Sequence, residues 1–211
     1  MLEMPMFPLG MVLVPSMMLP LRVFEPRYQA LVRACVGEDG TGEFGVVLIA
    51  RGSEVGGGDV RYDLGTVAQI MALQPRTDGG FHLQALGVRR ILVEEWLPDD
   101  PYPRALVSDY PDLAPEPDFE ERHAANVVLF RRVLALAAEL GDPAPPSTVE
   151  VAGDPLAATY QVASMAGVGP ADLYELLREP GPSSRAERLQ RLLADQRLLL
   201  EMRLAELGGG A

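Results

Sequence analysis

The sequence contains no lysine, and all 18 basic side chains among its 211 residues are arginine. Three kinds of site need a lysine amine and are therefore excluded from this chain: the phosphate-binding G-x-x-x-x-G-K-[ST] loop, a Schiff-base site and a Ser–Lys nucleophilic dyad. Histidine is scarce as well. His82 and His123 belong to no cluster of cysteine and histidine, so we expect no metal ion and no cofactor.

Cysteine is limited to Cys35, which cannot form a disulfide within the chain. A lone cysteine of this kind is typical of a reducing compartment, and we expect a cytoplasmic protein. Cys35 shares helical spacing with Tyr28, Leu31 and Val32. This spacing predicts a buried structural thiol rather than a nucleophile.

A segregated basic region is also missing, and the formal net charge is −12. Binding to phosphate backbones requires a local excess of positive charge, so nucleic-acid binding is disfavoured. Residues 4–21 are uncharged over a length that could span a membrane, but four prolines interrupt them. Proline removes backbone hydrogen bonds that lipid cannot replace, so we expect no membrane segment.

Short apolar runs of strand length make up most of the chain to about residue 110. One early helix is predicted from Glu25-Pro26 to Gly37, and Gly52 to Gly58 predicts a loop. Asp78-Gly79 predicts a hairpin turn, and Gly87 is expected to break the strand ladder. Several short strands at this spacing favour a small barrel or sandwich. The predicted extended runs are residues 11–14, 17–24, 44–50, 60–73, 81–86, 88–96 and 104–110.

The remainder of the chain is predicted to be helical, because the apolar spacing changes to about 3.6 residues after the proline-rich segment 111–117. We place the domain boundary there, giving units 1–113 and 114–211. Asp154-Pro155 and Pro170 predict two helix starts. Ser184-x-x-Glu187 predicts a capping box for the last helix. The predicted fold class is α+β, with a β-barrel that contains one early helix and a C-terminal helical bundle.

The sequence motifs that could indicate a catalytic site give little support for one. Gly40-x-Gly42-x-x-Gly45 matches the dinucleotide-binding pattern, but it follows a predicted helix and enters a strand, which is the reverse of the required context. The adjacent acids Glu94-Glu95 and Asp99-Asp100 point apart on a strand and are not a catalytic pair. An enzyme with a dispersed acid/base site stays open as an alternative. It would need a deep polar pocket with shifted pKa values.

Methionine is concentrated at the start, where six of the nine methionines lie within the first 18 residues. Exposed methionines form adaptable apolar surfaces, whereas buried ones would simply pack the barrel. Met17 and Met18 are the two that we expect to be most exposed. Together with Leu19 and Arg51 they form a candidate peptide-contact surface.

The segment 19–28 contains the block Phe24-Glu25-Pro26-Arg27-Tyr28 and resembles the N-terminal, substrate-binding domain of Lon proteases. The resemblance continues in order over nearly the whole chain. It implies a free-standing relative of that domain, with a PUA-like β pseudo-barrel followed by a helical bundle. Ser16 and Arg22 depart from residues common in the family. The further matching blocks are 6–9, 12–15, 44–48, 65–70, 87–90, 154–155 and 185–204.

The resemblance implies a non-catalytic module that binds unfolded or partner polypeptides, as an adaptor or recognition factor in protein quality control and proteolysis. The lysines that Lon needs for ATP hydrolysis and proteolysis are missing. RNA binding by a PUA-like fold is an alternative, and homo-oligomerisation stays open. Within the shared block we predict structural roles: Phe24 and Tyr28 pack the barrel against the helix, Pro26 starts the helix, and Glu25 and Arg27 flank its positive end.

Overall fold

The computed structural model describes residues 1–52, 58 and 60–208. The chain divides into two compact units, Met1–Pro111 and Asp112–Ala211. The described residues form six strands and five helices, with all strands and the first helix in the first unit. The order of strands followed by helices gives a mixed fold. Most of the predicted loop between Gly52 and Gly58 lies outside the described residues.

The strands of the first unit form one sheet. Their bounds are β1 (Leu2–Leu9), β2 (Met18–Val23), β3 (Glu43–Arg51), β4 (Val60–Pro75), β5 (Phe81–Leu97) and β6 (Arg104–Asp109). Their order is β2–β5–β4–β3–β1–β6, and β6 also pairs with β5. Five strands are thus paired in a closed ring, while β2 extends the sheet beside β5.

The early helix is α1 (Pro26–Val36), and it begins at the predicted proline. Proline is well suited to the first helical turn because its missing N–H would have no partner there. The buried face of α1 consists of Tyr28, Leu31, Val32 and Cys35, as the apolar spacing predicted. This face anchors the helix on the sheet.

Two apolar cores use opposite faces of the strands. The core under α1 includes Leu19, Leu83 and Ala85. The second core includes Val67 and Ile91. On β3, Phe44 and Val46 belong to the first core and Val47 to the second. Alternate side chains of a strand point to opposite faces, so this continuous apolar run supplies both cores.

The first strand differs from the prediction. Residues 11–14 form a buried connection without strand pairing, and the strand lies earlier, in β1. It contains Pro5 and Pro8, which pair with Arg104 of β6 and Val47 of β3 respectively. Because β1 changes partner midway, each proline has a paired strand on one side only. A missing N–H is tolerated at such a position.

Gly87 does not break the ladder, because β5 continues through it with a shift in register against β4. Gly87 also exchanges backbone hydrogen bonds with the connection before β2, accepting from the N–H of Ser16 at 2.8 Å and donating to the carbonyl of Met17 at 2.9 Å. A Cβ atom at this position would lie 2.3 Å from the carbonyl oxygen of Val14. The glycine therefore permits a close backbone approach, which its position in the sequence does not reveal.

The hairpin between β4 and β5 turns at Asp78-Gly79, as predicted. Gly79 has a φ of +81°, a conformation that suits glycine. The N–H of Arg76 donates to the carbonyl of Gly80 at 2.9 Å, and the Asp78 carboxylate accepts from the N–H of Gly80 at 3.1 Å. These bonds close the turn and fix the register of the two long strands.

The second unit consists of α2 (Phe119–Glu139), α3 (Pro155–Met165), α4 (Pro170–Arg178) and α5 (Pro182–Gly208). Asp154 caps α3 by accepting from the N–H of Ala157 at 2.8 Å, as predicted. The prediction of a capping box at Ser184 and Glu187 is wrong, because α5 begins at Pro182, two residues before Ser184. The Ser184 hydroxyl instead donates to the carbonyl of Gly181.

Arg185 of α5 is fully buried and connects several parts of the second unit. Its guanidinium donates to Asp112, to the Thr159 hydroxyl at 3.1 Å and to the Leu176 carbonyl at 3.3 Å. It also lies 3.8 Å from the ring centroid of Tyr160. A buried arginine needs partners of this kind, and here it ties α3, α4 and α5 to the first residue of the unit. Across the described part of the chain, no helix combines the length and apolarity needed to cross a membrane.

Candidate functional site

The four residues of the predicted peptide-contact surface differ in their exposure to solvent. Met18 is 48% exposed, whereas Leu19 is completely buried in the core under α1, so its assignment as a contact residue is wrong. Met17 is partly buried against the same core. Arg51 is exposed and is the last residue of β3. Alternation along β2 explains the result for Leu19, since neighbours of an exposed residue point to the opposite face.

Met18 and Pro20 project from the face of the sheet opposite α1. In the antiparallel β2–β5 pair, Met18 lies opposite Leu86 and Pro20 lies opposite Gln84. Both β2 residues are exposed, and Leu86 is half-buried. An apolar surface therefore extends from β2 onto the neighbouring strand.

The same surface continues onto β4, where Ala72 lies opposite Gln84. The register shifts between Ile70 and Ala72, and Met71 is the extra residue at this irregularity. Met71 is 58% exposed, and Ala72 is exposed beside it. We call the resulting surface the methionine patch. It consists of Met18, Pro20, Met71, Ala72 and Leu86.

A polar row limits the methionine patch at one end. Arg22 of β2 lies opposite His82 of β5, which in turn lies opposite Gln74 of β4. All three residues are exposed. An exposed apolar surface bordered by polar residues is typical of surfaces that bind other polypeptides. Sequence reasoning missed Met71, because its place on this face depends on a register shift that only the strand pairing reveals.

The Phe24–Tyr28 block fixes the start of α1. The Tyr28 ring stacks on Phe7 with 3.9 Å between ring centroids and an interplanar angle of 8°. The Arg27 guanidinium donates to the Glu25 carboxylate at 3.1 Å and lies 4.4 Å from the centroid of the Tyr28 ring. Pro26 is the first helical residue. These contacts agree with the roles predicted for Pro26 and Tyr28, and they provide Arg27 with partners.

Phe24 does not pack the barrel against the helix, because its side chain is 56% exposed. It follows the last residue of β2 and precedes α1, where the chain changes direction. It borders a small groove of about 80 Å³ that includes Leu9, Leu21 and Tyr28. The block is thus structural at Tyr28 and exposes an aromatic ring at Phe24.

Arg89 holds three strands of the ring together. Its guanidinium makes two hydrogen bonds to the Glu43 carboxylate, at 2.7 and 2.8 Å, and one to Asp109 at 3.1 Å. The hydrogen bond with Glu43 is the main cause of the raised pKa of Arg89. A cavity of about 250 Å³ lies beside it, lined by apolar residues that include Met4, Ile91 and Val107. The Glu43 and Asp109 carboxylates thus accept hydrogen bonds from the Arg89 guanidinium beside this cavity.

Three ionisable groups of the described residues have shifted pKa values with structural causes. Burial raises the pKa of the Cys35 thiol to about 12, and its Sγ donates to the Glu43 carbonyl at 3.3 Å, so it is protonated at neutral pH. The Arg76 hydrogen bond lowers the pKa of Asp78 to about 2. Burial lowers the pKa of His123. Over residues 1–52, 58 and 60–208, no three cysteine, histidine or acidic side chains are grouped so as to hold a metal ion.

Comparison with known proteins gives the family. Residues 3–195 match the sequence profile of the "ATP-dependent protease La (LON) substrate-binding domain". The chain belongs to the Lon substrate-binding domain family. The Lon protease of Methylocella silvestris is 28% identical over 193 residues. That alignment covers 89% of this chain but 23% of the protease, so the chain spans less than a quarter of that relative.

Solved structures of Lon N-terminal domains have the same fold. A Lon N-terminal domain protein from Xanthomonas campestris is 26% identical with a TM-score of 0.62, covering 90% of this chain and 97% of that one. The N-terminal domain of a Mycobacterium avium complex Lon protease is 18% identical with a TM-score of 0.65, covering 92% and 97% respectively. The predicted resemblance to the Lon domain is confirmed. The matched region is the substrate-binding domain and not a catalytic domain of Lon.

Proposed function

We propose that this Lon-type domain binds polypeptide segments with exposed apolar side chains, and that the methionine patch is the contact surface. The observation that carries the proposal is the exposure of Met18 and Met71 on one sheet face, with apolar neighbours from three strands. Family membership supports the class of ligand, because the family profile is that of a substrate-binding domain. The corresponding role is recognition, as an adaptor in protein quality control.

The chemistry of the patch suits ligands of varied sequence. Methionine side chains are unbranched and polarisable, so they adapt to different apolar partners without a shaped pocket. They lie on paired strands, which fixes their backbone. Specific recognition of one sequence would instead require several directed hydrogen bonds, and Gln84 is the side chain available for that purpose at the centre of the patch.

We also infer that the ring of β1, β3, β4, β5 and β6 is a PUA-like pseudo-barrel and that the protein functions in the cytoplasm. The closed pairing supports the first inference. The buried, protonated Cys35 agrees with a reducing compartment. RNA binding has weaker support, because the net charge of −12 opposes phosphate binding.

The enzyme alternative has weaker support from the ionisable groups of the described residues. The two carboxyl groups whose pKa is lowered are at the surface: Asp78 is bound by Arg76 with Arg22 also near it, and Asp142 is bound by Arg203. This is the pattern of surface ion pairs. A general acid or base would instead be expected in a pocket with access to substrate.

A direct test compares one reporter protein in its native form and in a reduced, alkylated form that cannot refold. Fluorescence anisotropy with the purified chain should show at least about tenfold tighter binding to the unfolded form, since only that form exposes its apolar residues. Equal binding to both forms, or no binding, would contradict the proposal. Binding of a structured RNA that weakens steeply with added salt would support the nucleic-acid alternative instead.

A further inference from the structure

The methionines of the first unit differ strongly in their access to solvent. Met4 and Met6 are buried in the core that contains Val67 and Ile91. Met17 is partly buried. Met18 and Met71, the two methionines of the methionine patch, are about half exposed. A water-soluble oxidant therefore reaches these two thioethers before it reaches the core methionines.

We propose that Met18 and Met71 are oxidation sites that switch off binding at the methionine patch, an inference that rests on the proposed function. The oxidant is a peroxide. The thioether sulfur attacks one oxygen of hydrogen peroxide, an S–O bond forms as the O–O bond breaks, and the other oxygen leaves as water with both peroxide protons. Each methionine becomes a sulfoxide, and the peroxide is reduced by two electrons.

The change in polarity explains the loss of binding. A sulfoxide is polar and prefers water, whereas the thioether is apolar and flexible. Leu86, Pro20 and Ala72 provide no charged or donor side chain for a new S=O group, and Gln84 provides a single amide group for two sulfoxides. An apolar segment would therefore have to cover polar S=O groups that are hydrated in its absence. Oxidation of both residues should weaken binding by a factor of about ten or more.

The fold tolerates this chemistry at the patch. Neither residue belongs to either core of the sheet, so their oxidation leaves the core packing in place. The lesion is also reversible, because methionine sulfoxide reductases convert both sulfoxide epimers back to the thioether. Reversal is what distinguishes a switch from oxidative damage to the core at Met4 or Met6.

The experiment treats the full chain with a limited amount of hydrogen peroxide, maps oxidation by peptide mass spectrometry and measures binding of the unfolded reporter. We expect Met18 and Met71 to gain oxygen before Met4 and Met6. Binding should fall about tenfold and recover after treatment with both classes of reductase. Thermal unfolding followed by circular dichroism checks that the oxidised chain stays folded.

The matched variant is Met18→Leu/Met71→Leu, which keeps an apolar patch that peroxide cannot modify. Its affinity for the reporter before treatment serves as its own reference, and peroxide should leave that affinity unchanged even though the exposed Met1 and Met202 are still oxidised. If peroxide weakens the variant as much as the wild type, or if wild type oxidised at both residues keeps full binding, the inference is wrong. If untreated wild type and variant both fail to bind, the proposed function fails together with this inference, and the two failures are thus distinguishable.

Discussion

Tyr28 of α1 stacks in parallel on Phe7 of β1, with 3.9 Å between their ring centroids. Both rings are buried in the core under the helix. Four residues earlier, Phe24 is more than half exposed although it belongs to the same sequence block. The two aromatic residues therefore have different roles: Tyr28 holds α1 on the sheet, and Phe24 presents its ring to solvent beside a groove.

Replacing Tyr28 with alanine should lower the free energy of unfolding by about 3–4 kcal/mol, because the change removes a buried aromatic side chain and leaves a cavity. Phe24→Ala is the matched control in the same block. It should change stability by less than about 0.5 kcal/mol, as is usual for a surface position. Urea unfolding followed by circular dichroism measures both values. Similar losses for the two variants would show that the role of Phe24 is also structural.

Arg185→Met should destabilise the second unit by about 3–5 kcal/mol, because it leaves the largely buried Asp112 without its guanidinium partner. Arg191→Ala serves as the control, since Arg191 lies on the exposed side of the same helix and makes one long contact of 3.8 Å with Glu187. That variant should unfold nearly as the wild type does. Differential scanning calorimetry gives both transitions, and an unchanged transition for Arg185→Met would refute a stabilising role.

The buried thiol of Cys35 predicts a specific dependence on pH. Its pKa rises from about 9 in the unfolded chain to about 12 in the folded one. Between these values the unfolded chain loses the proton while the folded chain retains it, so stability decreases as the pH rises from about 9 towards 12. Below pH 9 the thiol is protonated in both states and the effect is absent.

Two measurements check the behaviour of Cys35. A disulfide reagent that reacts with thiolates should label the native protein slowly at pH 8 and label the unfolded chain rapidly. The decrease in stability above pH 9 should be smaller in Cys35→Ala than in the wild type, since that variant lacks the titrating group. Rapid labelling of the native protein would mean that the thiol is accessible and ionised.

Local signals in the sequence predicted several elements correctly. Pro26 and Pro170 begin α1 and α4, and Asp154 caps α3, because each of these residues acts on the backbone within its own helical turn. The apolar face of α1 followed from helical spacing alone. Family resemblance, carried mainly by the block that ends at Tyr28, indicated the whole fold.

Features that depend on distant parts of the chain were not predictable in the same way. A glycine is required at position 87 because the backbone of Val14 approaches it closely, and Arg185 is buried because Asp112 and Thr159 provide partners. The exposure expected for Met17 and Met18 suggests that Leu19 beside them is exposed too, although strand alternation places Leu19 in the core. Met71 joins the patch only through the register of β4 against β5. Strand pairing and register depend on contacts between distant parts of the chain, so no local sequence pattern predicts them.

The most direct test of the account is the affinity for an unfolded reporter of the variant Met18→Gln/Met71→Gln, measured by fluorescence anisotropy. The matched control is Val36→Gln/Val128→Gln, which replaces two exposed apolar residues outside the patch. If the methionine patch binds apolar segments, the patch variant should bind about tenfold more weakly than wild type, and the control should bind as wild type does. Equal affinity of the patch variant and wild type, with both variants folded, would contradict the assignment of this surface.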